Sequence, residues 1–414
     1  MEIEMSGLKH LSAAVSHKFA AVEEWLRAAF ADAPPPFYAS TDLRNNGNKI
    51  APVDTNLFPG GFNNLPPSCY PLAAELLSQQ MSGLCPGMKS VLLVPEKHTR
   101  NPAYSDNVAV LKHLLELAGI RTCLGADSPE AVVMTTSDGR NLELPPIQTD
   151  EDNRPHCGDF YPCAVLLNND LSSGMPPVLA NAPIPVMPPA AMGWQRRRKS
   201  GHFHHYRRAA EQLAGVLDID PYLLSADFAV CADVDFHRRE GMECLAASVD
   251  ETLAQIKIKY REHGIMDSPF VVLKDNAGTY GMGVMTVSSA AEVFAANRKT
   301  RNKMSVGKGG AQIREILIQE GVATIDKIGG AAAEPVVYAI GGAAAGGFWR
   351  INKTRGASEN LNSRGMHFTP FAGSFAPSKA QGDMKTQGSL HYLYGVIARL
   401  SNLAAARETA AAGN

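Results

Sequence analysis

The stretch that decides the fold is "VVLKDNAGTYGMGVMTV", residues 271–287. It is an apolar run ending in Lys274, a loop carrying Gly278, Gly281 and Gly283, and a second apolar run. Closely spaced glycines let backbone N–H groups approach a guest, and phosphate is the commonest one. No G-K-[S/T] follows, so the loop is not a P-loop. No helical pattern follows either, which excludes a dinucleotide-binding fingerprint. What remains is strand, glycine loop, strand, with the cation ahead of the glycines. Taken alone, that pattern describes a β-hairpin with a long turn equally well.

The residues downstream shift the balance. "EILIQEGV" (315–322) is an apolar strand whose end turns polar and then opens into a glycine. Such an end can present backbone N–H and C=O to a purine edge. "GGFWRINKTRGASENLN" (346–362) then sets Arg350 and Arg355 among Glu359, Asn360 and Asn362, too polar for a simple strand end.

This order resembles the ATP-grasp fold, and within it the glutathione-synthetase-like ligases. The resemblance implies that Lys274 reaches the α- and β-phosphates. The amides of Gly278, Thr279, Tyr280, Gly281 and Gly283 would cover the β- and γ-phosphates, and Gln319, Glu320 and Val322 would form the adenine hinge. Arg350 would neutralise the transferring phosphoryl group, so Lys274 and Arg350 are the catalytic candidates. The first ATP-contacting cation of the family stays open among Arg238, Arg239 and Lys257.

One departure is informative. The family carries its magnesium ligands downstream, as an acidic residue and then E/D-x-N, but after residue 367 only the isolated Asp383 is acidic before the closing helix. The front of the chain holds "FYASTDLRNNGNKIAPVDTNLFPGG" (37–61) instead. Asp42 ends one extended run and Asp54-Thr55-Asn56 ends the next, with strand alternation placing Asp54 and Asn56 on one face. Two carboxylates and an amide oxygen are the hard donors that Mg²⁺ prefers. A lone D-x-N is usually a turn; Asp42 at hairpin distance and the missing downstream motif favour a metal site of Asp42, Asp54 and Asn56. The fold expected is therefore a circularly permuted α/β (α+β) ATP-grasp with a doubly wound domain, in which residues 37–56 lie in one antiparallel sheet beside the strands carrying Lys274 and Arg350.

The strings "DLRNNGNKIAPVDTNLFPGGFNN", "LLVPEKHTRNPAYSDN", "LLNNDLS", "GWQRRRKSGHF" and "KDNAGTYGMG" together resemble the proteobacterial-type glutamate–cysteine ligase, over roughly residues 35–370. This implies joining the γ-carboxylate of glutamate to the amine of cysteine through an acyl phosphate, with ATP and Mg²⁺ (two ions) as cofactors. Candidate substrate contacts are Arg44, Lys49, Arg100, Asn101, Arg198, Lys199, Arg355, Asn360 and Asn362. Two alternatives remain: another carboxylate–amine ligase such as glutathione synthetase, and a catalytically silent nucleotide-binding regulator.

Composition bounds the rest. A chain of 414 residues calls for two or three subdomains. The expected division is 1–66 (helix and metal strands), 67–190 (doubly wound substrate domain), 191–250 (basic connection) and 251–414 (lid, hinge and arginine strands). With 39 basic and 41 acidic side chains, a nucleic-acid partner is not expected. The partners expected are small molecules, with a homo-oligomer left open. No apolar run reaches the ~18 residues of a membrane span, and the N-terminus lacks a signal-peptide core, so a cytoplasmic protein is expected. Seven scattered cysteines without a C-x-x-C pair read as free thiols. Helical spacing predicts one helix over 8–31, and His202, His204 and His205 read as surface or substrate-facing.

Overall fold

The computed structural model describes residues 6–97, 101–278, 281–371, 375 and 387–413. Three sheets organise it. The strands are β1 (Tyr38–Asn45), β2 (Ile50–Asn56), β3 (Ser90–Pro95), β4 (Arg121–Leu124), β5 (Ala164–Asn168), β6 (Val186–Met187) and β7 (Phe228–Cys231). After them come β8 (Val271–Asp275), β9 (Val284–Val287), β10 (Ile316–Glu320), β11 (Ala331–Ile340), β12 (Ala343–Asn352) and β13 (Met366–Pro370).

The largest sheet runs β13-β12-β11-β1-β2, all antiparallel, with the short strand Lys327–Ile328 on β11. Two strands from the front of the chain thus join three from its last third. The expectation that the Lys274 strand shares this sheet is corrected. β8 lies in a second antiparallel sheet, β7-β10-β8-β9, which meets the first at β2 through the bond from Lys274 to Val53. Its outer face buries Leu273, Ile316 and Ile318 against Leu245, Val249 and Ile256 of the helix Met242–Glu262.

The third sheet, β6-β5-β3-β4, is wholly parallel. Its central strands β3 and β5 are buried at every position, the near-continuous apolar pattern of strands covered on both faces. The helix Pro102–Leu117 carries the chain from β3 to β4.

Behind the largest sheet lies the closing helix Gln387–Ala412. Tyr394, Val396, Ile397, Leu400, Leu403 and Ala404 are buried around its circumference, as expected of a helix enclosed by core. Each such large apolar side chain contributes about 1.5–3 kcal/mol, so Leu400→Asp would break this packing. Its neighbour Lys199–Leu217 falls in the stretch expected to be a basic connection; that segment is instead a core helix burying Phe203, Tyr206 and Leu213.

Two further expectations change. The single helix over 8–31 is two, Ser6–His17 and Phe19–Asp32, parted at Lys18, whose backbone (φ −101, ψ 23) leaves the helical region. The cysteines are not all free: Cys85, ending the helix Tyr70–Leu84, is disulfide-bonded to Cys163, just before β5. The fold brings their Cα atoms to 6.0 Å across 78 residues, which spacing along the chain does not reveal.

Candidate active site

The site begins at the β1–β2 pair. Asp42 stands directly opposite Asp54, and Ser40 opposite Asn56, so alternation puts all four on one face. Thr55 turns to the other face, where its Oγ1 lies 2.6 Å from Ser401 Oγ. The Thr55 carbonyl accepts from Arg197 Nη1 at 2.8 Å, and Arg197 grips Glu408 through Nε and Nη2, each at 3.0 Å. His202 bonds both Glu408 and Ser401. Expected at a surface or facing substrate, His202 is instead 2% exposed and braces the back of the Asp54 strand.

A charged row continues across the sheet. Glu334 on β11 is paired with Arg350 on β12. Arg350 Nη1 donates to Asp42 Oδ2 at 2.6 Å and to Glu334 Oε1 at 2.7 Å. Arg44 donates to Glu334 Oε2 at 2.7 Å and to the carbonyls of Val322, Ala357 and Glu359. From the facing sheet, Lys274 Nζ donates to Val53 O and Gln319 Oε1, both at 2.7 Å. Lys199 Nζ lies 2.5 Å from Asp54 Oδ1.

These contacts set the charges. Burial pushes the Asp42 carboxyl up, against the pull of Arg350 and with the repulsion of Glu334 and Asp54. Burial acts the same way on Asp54, but Lys199 and Lys274 outweigh it and hold this carboxyl below its ordinary range. Burial brings Lys274 down to about 8, with Asp54 opposing and Lys199 and Arg44 adding to the effect. Glu334 is held low because Arg44 and Arg350 outweigh its burial.

Two chambers open from this row. The first lies between the sheets, lined by Arg44, Lys199, Lys274, Gly278, Gln319 and Val322. Gly281 has a left-handed backbone (φ +66), and a Cβ there would sit 2.8 Å from Asn362 O. The glycine turn therefore packs directly on the 360–362 segment and roofs this chamber. Thr279 and Tyr280 lie outside the described residues. The second chamber faces the parallel sheet and is lined by Asn64, Asn101, Tyr104, Asn107, Asp170 and Phe348. Asp42, Asp54, Arg350 and Asn362 line both.

Not every expected residue faces the cleft. Lys49 is fully buried, 2.6 Å from Glu320 Oε2 and over the Tyr222 ring. The Glu320 carboxylate also accepts from Tyr222 Oη and the Asp227 N–H, so although Glu320 lines the first chamber its charge is engaged by buried partners, and Lys49, in the turn between β1 and β2, is one of them. Arg198 lies at the surface beside Glu315, and Arg355 pairs with Glu359 at the rim. Arg100 lies outside the described residues. Asn56 lines the second chamber, its Oδ1 accepting from Phe58 N at 2.9 Å. Asn360 lines the first. Arg238, Arg239 and Lys257 line neither chamber, whereas Lys199 and Arg44 line the first together with Lys274. Glu334 was missed, although "EPVVYAI" alternates as a strand and would have placed it on the Arg350 face once paired.

The donor set suits a hard divalent cation. Asp42 and Asp54 offer oxygens on one face, and Asp42 Oδ1 is only weakly engaged, 3.4 Å from Arg350 Nη2. Among the described residues there is no group of three His, Cys, Asp or Glu side chains of metal-binding geometry. Further oxygens would therefore come from phosphates and water. Gln319 Nε2 and Arg350 Nε are buried donors without a partner among the described residues. Such donors are costly unless a ligand accepts from them.

The glutamate-cysteine ligase family model matches residues 12–409. A solved structure from Methylobacillus flagellatus KT, provisionally named a gamma-glutamylcysteine synthetase, is 43% identical with a TM-score of 0.91, covering 99% of this chain and 97% of that one. A D-alanyl-alanine synthetase A from Vibrio cholerae O1 biovar eltor str. N16961 aligns at 11% identity and TM-score 0.29 over 60% of this chain and 66% of that one, too remote to argue from. No curated protein sequence matches. No described helix is long and apolar enough to cross a membrane. With a family match across nearly its whole length, the chain belongs to the glutamate-cysteine ligase family, ATP-dependent ligases that form γ-glutamylcysteine in glutathione biosynthesis.

Proposed function

We propose that the first chamber holds ATP, the second holds the amino-acid substrates, and the shared residues Asp42, Asp54 and Arg350 mark where phosphoryl transfer occurs. The observation that carries this reading is the sharing itself: one row of charges lines both chambers. A carboxylate does not condense with an amine in water, so the γ-carboxylate of glutamate must first be activated as an acyl phosphate. Cysteine's neutral amine then attacks the acyl carbon, and phosphate leaves.

Each residue has a task in that sequence. Lys274 and Lys199 hold the phosphates, and Arg350 steadies the charge of the transferring group. The glycine turn excludes water. Gln319 Nε2 and the backbone near Val322 face the base. Asp42 and Asp54, with Asn56 beside them, would hold Mg²⁺, which supplies charge neutralisation at the phosphates. The arrangement favours an ATP-grasp enzyme in which the metal strands have moved to the front of the chain by circular permutation. The divisions 1–66, 67–190, 191–250 and 251–414 stay a proposal, amended by the helix Lys199–Leu217 and by β7, which joins the Lys274 sheet.

The test is incubation with ATP, Mg²⁺, cysteine and glutamate labelled with ¹⁸O in its γ-carboxylate, followed by mass analysis of product and phosphate. The reading expects γ-glutamylcysteine and one ¹⁸O carried into phosphate. Product without labelled phosphate would contradict the acyl-phosphate route.

A further inference from the structure

We propose that Lys308 is a positioning residue that couples the amino-acid chamber to the turn roofing the nucleotide chamber, so that glutamate tightens nucleotide binding. The inference rests on the two-chamber reading above.

In the parallel sheet the chain leaves β3 for β4 on one side, and β5 occupies the other side. The gap between β3 and β5 is thus a topological switch point, where open α/β sheets gather ligands at their carboxyl ends. Two carboxylates stand there. Glu96 directly follows β3 and is 7% exposed; Asp170 lies two residues beyond β5 and is 4% exposed. Buried like charges on neighbouring strand ends need a cation between them.

That cation comes from a different sheet unit. Lys308 Nζ lies 2.9 Å from both Glu96 carboxylate oxygens and 2.7 Å from Asp170 Oδ2. It sits in "SVGKGGAQI" (305–313), a segment closed by Gly307 N–H donating to Ala311 O and Ile313 N–H donating to Ser305 O. The same segment buttresses the glycine turn. A Cβ on Gly307 would lie 3.0 Å from Asp275 Oδ2, and one on Gly283 would lie 2.7 Å from Ile313 Cδ1. Asp275, in turn, caps the turn by accepting from Ala277 N–H at 3.0 Å.

The contacts are continuous from one chamber to the other. Asp170 lines the second chamber, and Asp275, Gly278 and Gly281 line the first. Lys308 is the charged link between them. With the link made, the Asp170 wall and the 305–313 segment are drawn together and the glycine turn is backed from behind. With it parted, two carboxylates face each other without this cation. A ligand in either chamber that packs best in the linked arrangement stabilises that arrangement, and linkage then requires the two ligands to favour each other equally.

The test is calorimetric binding of a non-hydrolysable ATP analogue with Mg²⁺, with and without saturating glutamate, and the reverse titration. Wild type should bind the analogue at least about 5-fold more tightly with glutamate present, the lower end of usual coupling factors. Lys308→Met should bind the analogue alone as wild type does, with the glutamate effect falling to a factor near one. Lys308→Arg should restore most of it. Asp170→Asn, which keeps the turn-forming Oδ1, should reduce the factor from the other side of the link and carries the test if Lys308→Met does not fold. A coupling factor unchanged in the folded variants would overturn the inference, as would a wild-type factor of one in an enzyme that still makes γ-glutamylcysteine. Absence of that product from wild type would instead overturn the functional reading.

Discussion

The two chambers share one wall and differ in nearly everything else. The side proposed for the nucleotide gathers cations: Arg44, Lys199, Lys274 and Arg350 all line it. The side proposed for the amino acids is mostly amides and rings, with Asn63, Asn64, Asn107, Tyr104, Tyr338 and Phe348 around it. The contrast suits the guests proposed for them. A triphosphate repays the cost of burying several cations, because it supplies the counter-charge on arrival. An amino acid carries both signs on small groups and is better matched by neutral donors and acceptors whose geometry selects it. Both demands meet at Asp42, Asp54 and Arg350.

If the shared wall does the chemistry, its loss should hurt most. Asp54→Asn should lower kcat by about 10³-fold, as expected when a metal ligand and its charge stabilisation are removed. Steady-state assays over a range of Mg²⁺ check this, and near-normal turnover at modest Mg²⁺ would remove Asp54 from the site. Lys274→Met belongs to the nucleotide side alone. It should cost about 10²–10³-fold in kcat/KM for ATP while leaving glutamate binding by the free enzyme unchanged. The contrast breaks if glutamate binding weakens equally.

Asn107→Ala should act on the other side. Its Oδ1 accepts from the Gly61 and Phe62 N–H groups, and its Nδ2 donates to Asn168. Losing these partners costs about 1–3 kcal/mol, read as a raised amino-acid KM with the ATP KM unmoved. The smallest kinetic effect belongs to Glu408→Gln, behind the wall. Burial raises this carboxyl, but Arg197 and His202 outweigh it and hold it down to about 2. A depressed carboxyl stabilises the fold above its unfolded value near 4.5 and loses that contribution as pH falls towards 2. The loss is roughly 3 kcal/mol at full charge. Wild-type Tm should therefore drop steeply between about pH 5 and pH 2, and the drop should flatten in Glu408→Gln, with both KM values little changed at pH 7.

What was legible in the sequence was mostly local. The D-T-N alternation put Asp54 and Asn56 on one face, and the glycine spacing marked the Lys274 turn, because period-2 patterning and positive-φ needs are written into a few adjacent residues. Pairings across the chain were harder. Lys274 and Arg350 were expected in one sheet, yet an antiparallel strand does not name its partner, and β8 chose β10 over β1. Lys49 looked like a substrate contact because nothing local shows that it is buried against Glu320. Glu334 needed the register of β11 against β12, and Lys308 needed a contact spanning more than 130 residues. The Cys85–Cys163 pair was hidden for the same reason.

The central claim is that the acidic face of the N-terminal hairpin serves the nucleotide held by residues more than 200 positions later. It is tested most directly by a crystal structure with Mn²⁺ and a non-hydrolysable ATP analogue, using the anomalous signal of the metal. The account predicts a manganese peak bounded by Asp42, Asp54 and the analogue's phosphates, with Lys274 on the same phosphates. A metal bound away from both carboxylates, or a nucleotide seated outside the cleft between the two antiparallel sheets, would contradict it.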